Sequence, residues 1–128
     1  MNFDFSDDAK TMRESARKFL DANAGPAVAR KSMNGTDTFE AELWKGVVDI
    51  GWTAARVPEE FGGVGLTAEE SCVLAEEAGR SLAPIPLTST LAATEALLRA
   101  GSKEQKARWL PGIAEGKVIA CTGWGEGN

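Results

Sequence analysis

The chain of 128 residues carries 14 Lys and Arg against 19 Asp and Glu, a formal net charge of −5, with no histidine and two cysteines. Its length suits one domain able to bury its own core, and a composition 43% hydrophobic and 26% charged excludes an intrinsically disordered acidic tail. The acidic balance offers no broad cationic field for nucleic acid or anionic lipid, and without histidine the usual zinc sets and the Ser-His-Asp machinery are absent.

No segment approaches the roughly 20 apolar residues that a membrane helix requires. The opening MNFDFSDDAK has neither a basic leader nor the apolar block of a secretory signal. The expectation is a soluble cytoplasmic protein with no metal, no nucleic-acid partner and no membrane partner.

A first helix is predicted after Ser6, whose hydroxyl caps exposed amides while Asp7 and Asp8 complement the positive helix end. Ala9, Met12, Ala16, Phe19 and Leu20 share one side of it, and Gly25-Pro26 ends it. Arg13, Arg17 and Lys18, with Glu14 among them, read as a solvated face. Lys31 to Gly35 has no apolar period and reads as an exposed connection.

A second helix is expected from the Asp37-Thr38-Phe39-Glu40 spacing, carrying Phe39, Leu43, Trp44, Val47, Val48 and Ile50 to Gly51. Val57 to Leu66 contains one proline and three glycines. It predicts a shaped loop whose backbone approaches other elements closely, and it lacks the spacing of either a phosphate loop or a dinucleotide fingerprint.

Thr67 and Glu70 have capping-box spacing for a third helix reaching about Arg80. On that helix Cys72, Ala75, Ala78 and Gly79 form a face of small side chains, and Glu76 is spaced to pair with Arg80. Ala83-Pro84-Ile85-Pro86 is a stiff connection. A fourth helix through Leu87, Leu91 and Leu98 stops at Gly101. Ser102 and Gln105 cap a last one, carrying Trp109, Leu110 and Ile113 and interrupted by Pro111. Val118 to Cys121 then resembles the opening of a buried strand, which needs a partner for its backbone.

Cys72 and Cys121 fall in apolar segments and read as free buried thiols. The pairs Glu59-Glu60, Glu69-Glu70 and Glu76-Glu77 read as solvated or capping, because adjacent helix positions do not face across a cleft. Trp44 and Trp109 fit core ridges. Trp124, among glycines, is divided between a ligand contact and a domain interface. No catalytic constellation emerges.

Certain strings are more specific. They are Phe3-Asp4-Phe5-Ser6; Trp44 to Gly51 followed by Val57-Pro58-Glu59-Glu60-Phe61-Gly62-Gly63-Val64-Gly65-Leu66; Glu76-Glu77-Ala78-Gly79; and Gly101-Ser102-Lys103-Glu104-Gln105-Lys106 through Trp109-Leu110-Pro111. In this order they resemble the amino-terminal helical domain of the acyl-CoA dehydrogenase family. The resemblance implies an all-α, orthogonal or up-and-down helical bundle over residues 1–116, with 117–128 as the start of a central β domain or an interface tail.

It further implies an assembly that uses FAD to dehydrogenate an acyl-CoA thioester between its α and β carbons. Fatty acyl and steroid-side-chain substrates both stay open. In such enzymes the catalytic carboxylate lies in the carboxy-terminal part, so no glutamate here inherits that role. Gly125-Glu126-Gly127 falls where the family has Thr-Glu-Pro beside the flavin, which makes Trp124, Gly125 and Glu126 the expected cofactor-binding residues. Pro84, Ile85, Leu87 and Leu91 are the expected substrate-binding residues, near the distal acyl cavity.

The partners implied are the missing β and carboxy-terminal helical domains or a homologous subunit, and the chain by itself is expected to be inactive and to hold no FAD. The alternative reading is a non-catalytic helical subunit or interaction module of a mixed complex. A complete small hydrolase is a third reading, without a triad, metal set or crossed acid pair to support it.

Overall fold

The computed structural model describes residues 4–123 and Gly125. Among these the chain is all-α, a helical-bundle protein of six helices: α1 Asp7–Asn23, α2 Pro26–Asn34, α3 Ala41–Asp49, α4 Ala68–Arg80, α5 Leu87–Ala100 and α6 Lys103–Ala114, with a 3-10 turn at Glu59–Phe61. No β-strand forms among the described residues. Among the described residues Val118 to Cys121 meets no neighbouring strand, so the expected terminal strand stays an expectation. No helix among the described residues is long and apolar enough to cross a membrane.

The chain divides into two compact units, one of residues 1–46 and 67–85, the other of 47–66 and 86–128. In the first, α1 packs on α4. The Ser6 hydroxyl accepts from the Ala9 amide at 3.2 Å. Thr67 and Glu70 cap each other's backbone amides, the Glu70 amide donating to Thr67 Oγ1 at 3.3 Å and the Thr67 amide to Glu70 Oε2 at 2.7 Å. α1 buries Ala9, Ala16 and Leu20, and α4 buries Ser71, Val73, Leu74, Glu77 and Ala78.

Three readings of this unit need correction. Lys31 to Asn34, expected as part of an exposed connection, are the last residues of α2, which starts at Pro26, where a missing N–H costs nothing. The second of the expected helices begins at Ala41, beyond Asp37-Glu40, with the Trp44 amide on the Glu40 carbonyl at 2.9 Å. On α4 the expected small face is buried only at Ala78: Cys72 and Gly79 are exposed, and Val73 and Leu74 are buried beside it. Trp44 is buried as expected.

The second unit is built on a dry core of Val57, Leu110, Ile113 and Ala114, flanked by Phe61, Leu97, Leu98, Val118 and Ala120. α6 packs on α5 and on the 3-10 turn. Its start is capped in both directions by Ser102 and Gln105, and Pro111 is accommodated inside the helix. The glycine-rich loop does approach closely: a Cβ at Gly63 would stand 1.9 Å from the Val57 carbonyl oxygen. The loop is pinned by the Val64 amide on Ala54 O at 3.0 Å and the Leu66 amide on Ala55 O at 2.7 Å.

Candidate functional site

The first unit holds a charge cluster built around one buried carboxylate. Glu77, fully buried, accepts from Arg17 Nε at 3.1 Å and Nη2 at 2.7 Å, and from Arg80 Nε at 2.7 Å. Arg80 also reaches Asp21 at 2.8 Å, and Arg13 grips Glu76 with both terminal nitrogens at 3.0 and 2.9 Å. The Arg17 hydrogen bond, assisted by that of Arg80, outweighs burial and holds the Glu77 carboxyl at about 2. A carboxylate so depressed and so paired takes up no proton near neutrality, so the cluster joins α1 to α4 rather than performing acid–base chemistry.

Two sequence readings fail at this cluster. Arg13 and Arg17 are not a merely solvated face, and Glu77 is neither solvated nor capping. Arg80 pairs with Glu77 and Asp21, and Glu76 pairs across helices with Arg13. Two hollows in this unit, of about 360 and 440 Å³, are edged by the ion pairs Lys31–Glu40 and Arg80–Asp21. Within each of these pairs the two charges satisfy one another.

The second unit has an apolar groove of about 400 Å³. Its floor is the face of α5 bearing Ala93, Ala96, Leu97 and Ala100, its wall is Gln105, Trp109 and Ile113 of α6, and its lip is Val118, Ala120, Cys121 and Thr122. Small side chains at i, i+3 and i+7 on α5 leave the space, and the chain leaving α6 closes one edge. Trp109, expected in the core, is 40% exposed on the wall, with the Arg108 guanidinium 4.7 Å from its ring centre. Cys121, expected to be buried, is exposed at the lip.

None of the four expected substrate-binding residues lines the groove. Pro84 and Ile85 are half-buried, the Pro84 carbonyl accepting from the Glu40 amide at 3.0 Å. Leu87 and Leu91 are buried packing residues. Of the expected cofactor residues, Trp124 and Glu126 lie outside the described residues. Gly125 is exposed, and a Cβ built there has no atom within 4 Å. Among the described residues there is no group of three or more Cys, Asp or Glu placed to hold a metal ion. Reading the sequence missed the groove, although the alanine spacing on α5 was its visible sign.

A six-helix fold with a capped Gly-Ser-x-Glu-Gln-Lys helix and a glycine-pinned loop defines an acyl-CoA dehydrogenase-type helical domain. The chain belongs to that family: residues 6–117 match the acyl-CoA dehydrogenase, N-terminal domain. It is 31% identical over 115 residues to the acyl-CoA dehydrogenase IpdE2 of Mycolicibacterium smegmatis, an alignment covering 89% of this chain and 37% of that protein. The ChsE4-ChsE5 complex from Mycobacterium tuberculosis is similar in structure with a TM-score of 0.85 at 28% identity, over 99% of this chain and 36% of the matched one. An acyl-CoA dehydrogenase complexed with FAD from Bacillus anthracis gives a TM-score of 0.67 at 26% identity, over 91% of this chain and 20% of that one. The chain thus spans about a third of the length of the curated relatives it matches.

Proposed function

We propose that the chain is a non-catalytic helical subunit or interaction module of a mixed acyl-CoA dehydrogenase-like assembly. The assembly dehydrogenates an acyl-CoA thioester between its α and β carbons, and its FAD and its proton-abstracting carboxylate are supplied by other parts. Residues 1–116 act as the helical domain, and 117–128 lead into the β part or its interface.

The observation that carries this reading is the chemistry of the groove. It is lined by alanines, Leu97, Trp109, Ile113 and Val118, and among the described residues no carboxylate or basic side chain borders it. Such a surface binds and excludes water but moves no proton. Support also comes from the similarity to a structure described as a complex. FAD, when bound in the assembly, supplies the redox chemistry. The same helical domain would serve as the first part of a single catalytic dehydrogenase.

The test is flavin content and activity of the purified chain. It is expected to carry no stoichiometric FAD and to show no dehydrogenation of acyl-CoA thioesters with an artificial electron acceptor. Flavin co-purifying at near one equivalent with no other polypeptide present overturns the reading.

A further inference from the structure

The helix α2 is nine residues long and buries none of them. Isolated helices shorter than about 12 residues are marginal in water, and those in proteins persist by packing an apolar face. α1 and α4 have that support in Ala16, Leu20, Val73 and Leu74. α2 does not: the close helix pairs are α1 with α4 and α5 with α6, and its largest apolar side chain, Met33, is 83% exposed.

Its backbone is as loosely joined. The Ala24 amide donates to Leu20 O at 2.7 Å, and the next tie to the rest of the chain is the Glu40 amide on Pro84 O at 3.0 Å. Between them, among the described residues, the backbone hydrogen bonds of 25–39 stay within that segment. The helix starts at Gly25, with φ 132° and ψ −177° and no side-chain cap, a conformation that in effect only glycine adopts. A Cβ there would meet nothing within 4 Å, so the turn has room to swing. At the other end Gly35 leads into 36–39, which are not helical.

What ties α2 sideways is charge. Lys31 Nζ, on a side chain 75% exposed, pairs with Glu40 Oε2 at 3.1 Å at the edge of the hollow of about 360 Å³. That hollow is lined by Val28 and Lys31 of α2, by Phe19 of α1, and by Leu43 and Gly46 of α3. Phe19 meets α3 without help from α2, since a Cβ on Gly46 would stand 3.0 Å from Phe19 Cζ. Lifting α2 leaves that contact in place and uncovers Phe19 and Leu43.

We infer that α2 is a strap that opens and closes as a unit over the hollow between α1 and α3, with Gly25 as its hinge and the Lys31–Glu40 pair as its latch. The α1–α4 pair stays folded while the strap opens. An exposed ion pair holds weakly, so the open form is reached by local opening and not only by unfolding of the whole chain.

Native-state hydrogen exchange of the full chain at rising denaturant, read by mass spectrometry, tests this. The amides of 30–34 are expected to exchange at least about a hundredfold faster than those in the middle of α1 and α4, through an opening that denaturant barely accelerates. Lys31→Gln and Glu40→Gln are each expected to speed exchange in α2 about two- to fivefold, and the double substitution no further, with α1 and α4 unchanged. Gly25→Ala strains the hinge of the closed form and is expected to speed it about tenfold, again in α2 alone.

Equal rates and equal denaturant dependence in α1, α2 and α4 overturn the strap. Exchange in α2 that ignores both Lys31→Gln and Glu40→Gln overturns the latch. A Gly25→Ala effect shared equally with α1 and α4, or absent from α2, overturns the hinge.

Discussion

The most distinctive contacts of the two units are of opposite kinds. The α1–α4 pair of the first unit joins its helices through charge, with two arginines on the buried Glu77 and the Arg13–Glu76 fork beside them. The second unit rests on an apolar core and on a loop that fits only because Gly63 has no side chain. The charged junction depends on pH, whereas the close-packed loop contact is intolerant of a single methyl group.

The largest effect is expected where the packing is tightest. Gly63→Ala puts a carbon against the Val57 carbonyl, a backbone atom that cannot rotate away. A loss of about 3–4 kcal/mol is expected in urea unfolding, and a loss under about 1 kcal/mol would show the loop to be looser than this contact requires.

In the other unit, Glu77→Gln keeps the shape and removes the charge, leaving Arg17 and Arg80 without their shared anion. About 3 kcal/mol of destabilisation is expected, somewhat less if the half-exposed arginines are well solvated. A variant as stable as the parent would remove the charged junction from the comparison.

The same residue sets the pH response. Its carboxyl is lowered from an ordinary 4.5 to about 2 in the folded chain, so the folded state binds its proton less readily than the unfolded state. The stabilisation is therefore complete above about pH 4.5 and is lost as pH falls toward 2, on the order of 2 kcal/mol after screening. Thermal unfolding followed from pH 6 to pH 2 should show this decline, and Glu77→Gln should flatten it. Glu95 in the second unit, lowered mainly by the Arg99 hydrogen bond, adds to the slope in the same direction.

The smallest effect runs the other way. Leu82 holds a left-handed φ of 51° just past α4, its amide on Gly79 O and that of Ala83 on Ala78 O, with its side chain 60% exposed. Glycine takes this conformation without strain, so Leu82→Gly should stabilise the chain by about 1 kcal/mol. No gain in chemical denaturation would show that the leucine side chain offsets its strain by packing.

Much of the fold was legible because its signals are local. The Ser6 cap and the Thr67/Glu70 and Ser102/Gln105 boxes each act within four residues, and all three form. The shaped loop was legible from its glycine density, although only the structure shows that Gly63 against Val57 is the contact that demands it. The first turn of α2 carried a readable signal, Gly25-Pro26, which was taken only as an ending. Without a buried face, α2 offered no apolar period to correct that reading.

The candidate site was less legible. The helix of α5 was legible from its leucines, but the open space at its alanines exists because α6 and the 118–122 segment surround them without filling it.

What the sequence determined by itself was the capped starts of α1, α4 and α6, the acidic charge balance and the family, since caps, composition and ordered motif strings are properties of neighbours along the chain. Only the tertiary structure decided that Glu77 is buried between arginines, that Trp109 and Cys121 face outward, and that Val118, Ala120 and Thr122 turn toward the groove. A helix offers the same side chain to water or to a neighbour according to what packs beside it, and that choice is made by residues tens of positions away.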